Sequence, residues 1–163
     1  MPDAGNEWRQ RFSSTRRGAR LARHLVVLEL CRWGYPLGGG ESERVGQVVA
    51  ELAANAVAHG CVPGRDFELG LRELDEVLRV EVSDARAGER PRVRPGSPDR
   101  PAEHGHGLRI VEALCVAWGV SGRVVGKTVW AEVARRPAAG DGYGSAAVSA
   151  SSVGVQELSG GVP

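Results

Sequence analysis

Between Val45 and Gly60 the apolar residues Val45, Val48, Val49, Leu52, Ala53, Ala56 and Val57 recur at three- and four-residue intervals, as in a helix that buries one face. Ser42 is placed to cap its start, and Gly60 with Pro63 beyond it ends it. Upstream, Leu21, Ala22, Leu25, Val26, Leu28 and Trp33 predict a packing helix from Arg16 to Trp33, capped among Ser13, Ser14 and Thr15 and stopped at Gly34 and Pro36. Trp8 and Phe12 have the spacing of a short edge strand. Downstream the period changes to two: Phe67 to Leu74 and Val77 to Asp84 alternate around Asp75-Glu76 and predict a β-hairpin. Leu108 to Trp118 is apolar on nearly every side except Arg109 and Glu112, which predicts a helix buried against a sheet. Trp118 to Val125 and Thr128 to Ala134 predict a second hairpin turning at Gly126-Lys127.

Between these elements, Ala85 to Glu103 carries five Arg, four Pro and no apolar run, so it reads as a long loop of the kind used as a lid or binding loop. The 163 residues divide into a flexible N-terminus over 1–11, one domain over 12–136 and a disordered Gly-, Ala-, Ser- and Val-rich tail over 137–163. A formal net charge of +1 gives no global pull toward nucleic acid or an anionic membrane. Of 21 basic residues only Lys127 is a lysine. Three widely spaced cysteines, Cys31, Cys61 and Cys115, argue against a disulfide framework and for a reducing cytoplasm. No apolar segment reads as a signal peptide or membrane span.

The candidate chemistry starts on the central helix, where Glu51, Asn55 and His59 follow one another at i, i+4 spacing along the border of the apolar stripe. A half-buried carboxylate one turn from an amide oxygen suits a hydrated Mg²⁺ or an activated water. The same row is compatible with a structural helix edge, Glu51 meeting an Arg and Asn55 capping a neighbouring loop. Gly105 and Gly107 bracket His106 at the start of a buried helix, where free N–H groups and the helix dipole let a phosphate approach. A tight turn into the helix would use the same glycines. Asp84 ends a strand at the mouth of the same presumed pocket, or forms a turn.

In order along the chain stand E-L-A-A-N-A-V-A-H-G, a strand ending at Asp84, a lid, E-H-G-H-G-L-R-I-V-E-A-L, W-G-V and G-K-T-V-W-A-E. Together they resemble the GHKL-type ATPase superfamily of gyrase, the heat-shock chaperone ATPases, the mismatch-repair ATPases and histidine kinases. Within it the chain is most similar to bacterial anti-sigma-factor serine/threonine kinases and the small ATP-binding regulators of actinomycetes. The resemblance runs from Phe12 to Ala134. It implies an α/β two-layer sandwich, helices on one face of a mixed, largely antiparallel sheet (the Bergerat-type ATP-binding fold), with ATP and Mg²⁺ as cofactors. It implies that Asn55 coordinates the Mg²⁺ and Glu51 is the general base toward a serine on a partner. Asp84 would accept the adenine amino group, Gly88, Gly105, Gly107 and Leu108 would line the nucleotide, and Thr128 would support the adenine-side hydrogen bonds. In one box the chain departs: the family's D-x-G-x-G has Arg86 in place of its first glycine.

The implied function is phosphorylation of an anti-sigma-factor antagonist, with sigma-factor binding as output; a homodimer is left open. The alternative is a nucleotide-dependent switch that binds a partner without phosphorylating it, favoured by Arg86. A metal site built from His59, Cys61, His104 and His106 lacks structural-zinc spacing. Direct nucleic-acid binding through Arg86, Arg90, Arg92, Arg94 and Arg100 lacks aromatic residues to stack on bases.

Overall fold

A computed structural model describes residues 5–86 and 106–135. Gly88, Gly105, His104, most of the arginine-rich loop and the 137–163 tail lie outside the described residues. The elements run β1 (Glu7–Phe12), α1 (Arg16–Arg32), α2 (Gly40–His59), β2 (Phe67–Glu73), β3 (Val77–Asp84), α3 (His106–Leu114), β4 (Ala117–Gly122) and β5 (Lys127–Ala134). The five strands form one sheet in the order β1-β2-β3-β5-β4.

All four pairings are antiparallel, so the largely antiparallel sheet that is expected is antiparallel throughout the described residues. The reason lies in the connection through α3. It carries β4 past β3 to the far side of β5, so β3 and β4 run the same way but β5 separates them. Glu7 to Arg11, expected to fray, pair with Arg72 to Glu68 as an edge strand. Phe12 anchors that strand by stacking on Phe67 with ring centroids 5.6 Å apart.

Strand alternation sorts the sheet into two faces. Leu78, Val80 and Val82 of β3 and Val129, Ala131 and Val133 of β5 are buried in one core with Val45, Val48, Val49, Leu52, Ala53 and Ala56 of α2. The opposite face carries charge: Arg79 lies over the Trp130 ring at 4.3 Å and pairs with Glu132 at 2.7 Å and Glu81 at 2.9 Å. Burial pushes the Glu81 carboxyl up, but Arg79 and Arg9 outweigh it and hold it below the usual carboxylate range.

Local chemistry moves several boundaries. Thr15 caps α1, its hydroxyl accepting the Gly18 N–H at 3.0 Å. Gly39, in extended backbone, is the N-cap of α2, so Ser42 lies inside the first turn, buried, with no hydrogen-bond partner for its hydroxyl among the described residues. Only the Gly18, Ala22, Val26, Leu30 row of α1 is fully buried. Leu21 and Leu28, expected to pack, are about half exposed, at 51% and 52%, because α1 packs chiefly on α2 and buries a narrow stripe. Helix α3 stops at Leu114, short of the expected Trp118, because Val116 donates to the Glu132 carbonyl at 2.8 Å and strand pairing begins at Ala117. An apolar run does not by itself separate buried helix from buried strand. The β4–β5 turn spans Arg123 to Gly126, with Gly126 at φ +84°, a left-handed conformation that favours glycine.

Candidate functional site

Helix α2 carries the site along its length. Glu51, Asn55 and His59 are each half-buried on its border, as the four-residue spacing dictates. The first turn of α3 approaches the Glu51 end of this row. A methyl group added at Gly107 would lie 2.5 Å from Oε2 of Glu51, so the absent side chain is what lets the carboxylate sit against the start of α3. Its other oxygen, Oε1, accepts from the Gln47 side chain at 3.2 Å. Gln47 is one turn before Glu51 and positions it; nothing in the apolar pattern separates it from other polar border residues. Leu108 is buried behind Gly107. The α3 start is the positive end of a helix dipole with N–H groups free of intrahelical partners, and Asn55, one turn along α2, offers a hard oxygen donor of the kind Mg²⁺ takes. These residues fit a phosphate-bound magnesium ion.

The second cluster lies where β3 ends, beside the C-terminus of α2. Asp84 is 5% exposed and faces the helices. Gly60, which closes α2, is packed so closely on its carboxylate that a Cβ there would collide with it. Asp84 is already engaged by its own chain. Oδ1 accepts the Arg86 backbone N–H at 3.0 Å, and both oxygens meet the ammonium of Lys127, Oδ1 at 3.3 Å and Oδ2 at 3.2 Å. Lys127 is 7% exposed and also donates to the Arg86 carbonyl at 3.4 Å.

Strand register explains this partnership. Asp84 is paired directly with Lys127 across β3 and β5, and Ser83 with Thr128. Partners in register point to the same face, so Lys127 shares the helix-facing side with Asp84. Thr128, expected beside the adenine, is turned to the opposite face, where its hydroxyl bonds the Ser83 hydroxyl at 2.7 Å. Lys127 is therefore a site residue that the motifs alone do not single out. Its signal is present as the chain's single lysine and as the i, i+2 parity with Val129 and Ala131.

The structure thus brings Glu51 and Gly107 together at one end and sets Asp84 at the other, with Asn55 midway between them along α2. Nine residue steps, roughly 13 Å of rise, separate Glu51 from Gly60. Gly88 and Gly105 fall outside the described residues. Of the alternative metal set, Cys61 donates to the Ser14 carbonyl at 3.8 Å, and among the described residues no three His, Cys, Asp or Glu converge on a metal position. Cys31, Cys61 and Cys115 are free thiols, and burial pushes Cys115 up to about 12. Among the described residues no helix is long and apolar enough to cross a membrane.

The histidine kinase-like ATPase domain family matches residues 12–133, a span containing both clusters. No curated protein matches the chain.

Proposed function

The chain belongs to the histidine kinase-like ATPase domain family, and from that premise we propose that it is a cytoplasmic regulator that binds Mg·ATP and phosphorylates a serine of an anti-sigma-factor antagonist. The observation that carries this reading is the Glu51 carboxylate lying against Gly107 at the start of α3, with Asn55 one turn away. A base there stands beside the place where a helix N-terminus would hold phosphate.

Each residue has a defined task. Asn55 would give its side-chain oxygen to the magnesium ion, and Gly107, without a side chain, would leave room for both the Glu51 carboxylate and the phosphates. Bound Mg·ATP supplies the phosphoryl group and the cation that neutralises its charge. Glu51, oriented through Oε1 by Gln47, would take the proton of the serine hydroxyl on Oε2 as the serine oxygen bonds to the γ-phosphorus and the bond from that phosphorus to the β-phosphate oxygen breaks, with ADP leaving. A sigma factor or its antagonist is the partner class, reached without direct nucleic-acid contact.

A second reading, a nucleotide-dependent protein-binding switch without transfer, is favoured by the prior engagement of Asp84 with Lys127. Incubation with labelled ATP and candidate antagonist proteins separates the two. The expected result is label on a partner serine, with Glu51→Ala lowering transfer by about 10²-fold while ATP still binds. Asn55→Ala should instead weaken Mg·ATP itself. If circular dichroism shows both variants folded and neither binding nor transfer changes, the Glu51–Asn55 row is structural and the kinase reading falls.

A further inference from the structure

We propose that Lys127 is a specificity-determining residue of the nucleotide site: held on Asp84, it opposes the 6-amino group of adenine and admits a 6-oxo purine about as readily. The inference rests on the ATP-site reading above and concerns only its base end.

A charged pair this deeply buried is retained only with good partners. Lys127 has them in the Asp84 carboxylate and the Arg86 carbonyl, at 3.2 to 3.4 Å. Asp84 in turn receives the ammonium on both oxygens and the Arg86 N–H on one. A carboxylate so placed has its charge neutralised and most of its acceptor positions taken. A purine amino group arriving there meets a weakened acceptor and, beside it, the N–H donors of an ammonium. Adenine therefore loses the charge-assisted hydrogen bond that a free aspartate would give. Hypoxanthine and guanine carry a carbonyl oxygen at the same ring position, and an ammonium donates to it. The backbone fixes this arrangement, since Asp84 and Lys127 are direct partners in the sheet and Gly126, at φ +84°, turns the chain tightly against the Asp84 carbonyl.

The affinities of Mg·ATP, Mg·ITP and magnesium tripolyphosphate, measured by calorimetry on the full chain, decide the matter. In the unaltered protein ATP and ITP should bind within about threefold of each other, since Asp84 and Lys127, engaged with one another, leave only a weakened acceptor for the 6-amino group and a weakened donor for the 6-oxo group. In Lys127→Met, Asp84 is released, and ATP should become favoured over ITP by roughly tenfold or more, the usual scale for a hydrogen bond to a charged group. Tripolyphosphate affinity should hardly change. Lys127 is the only lysine, so the side-chain amine resonance of the unaltered protein gives a readout that needs no variant: it should shift with ATP or ITP and not with tripolyphosphate. An ATP preference of tenfold or more in the unaltered protein, or an ATP to ITP ratio unmoved by Lys127→Met, overturns the proposal and leaves Lys127 a structural partner of Asp84. Absence of binding by all three ligands overturns instead the nucleotide site on which the inference rests. Should Lys127→Met fail to fold, Asp84→Asn/Lys127→Met removes both charges, and the amine resonance with the ATP to ITP ratio of the unaltered protein still decides.

Discussion

The two ends of the site are built by different rules. At the end proposed for phosphate, Glu51 and Asn55 are neighbours because a helix repeats every 3.6 residues, and a single helix supplies both. At the end proposed for the base, Asp84 meets Lys127 because two strands far apart in sequence are paired in one register. The helical rule is local and survives errors of a residue or two in the ends of α2. The strand rule does not: its period is two, so a shift of one residue exchanges Lys127 for Thr128 and turns the neighbouring charge outward. Chemistry on a helix is thus legible from spacing, whereas chemistry at a strand end depends on a parity set by the whole sheet.

This contrast can be broken first at the buried pair. Asp84→Asn leaves the Lys127 ammonium buried with, among the described residues, the Arg86 carbonyl and an amide, and should cost roughly 3 kcal/mol of stability, the scale for removing one partner of a buried pair. Adding Lys127→Met should recover part of that loss. Denaturant unfolding of the two single variants and the double one measures the coupling; strictly additive losses would mean that the pair does not interact as the distances indicate.

At the phosphate end the corresponding substitution is smaller. Gly107→Ala adds a Cβ where Glu51 Oε2 now lies, but the glutamate side chain can swing aside, and alanine suits a helix better than glycine. The thermal midpoint should therefore move little, while phosphoryl transfer falls roughly tenfold because the base is displaced. An unchanged rate would show that the closeness of Glu51 to Gly107 has no catalytic meaning.

The weakest expected effect sharpens the comparison most directly. Thr128→Val removes only the hydroxyl bonded to Ser83 on the outer face, and should cost no more than about 1 kcal/mol. ATP affinity should stay as it is. A clear loss of ATP affinity would mean that Thr128 reaches the nucleotide and that β5 has the opposite parity.

Much of this fold is legible in the chain itself. The stripe from Val45 to Val57 marks the central helix and the alternation around Asp75-Glu76 marks β2 and β3, whereas the polar Glu7 to Arg11 reads as a flexible end and becomes an edge strand only by pairing with β2. The end of α3 is not legible in the same way, because Val116, Ala117 and Trp118 are as apolar as the helix that precedes them. Only the pairing of this segment with Glu132 and Ala131 assigns it to a strand. Leu21 and Leu28 have the spacing of packed residues, yet a helical period shows which residues share a side, not how wide a stripe the neighbour covers.

The sequence by itself determined the residue types of the site and their order, and it set Glu51 one turn from Asn55, since helix geometry needs nothing beyond the chain's own backbone bonds. The tertiary structure decided which residues from different elements meet. It seated the Glu51 carboxylate against Gly107, closed Gly60 onto Asp84, and paired Asp84 with Lys127 while turning Thr128 away. Those contacts join residues that stand far apart in the chain, and their geometry follows from sheet register and from how closely α2 and α3 approach. Both are settled by packing the entire core at once, which no local pattern of apolar and polar residues encodes.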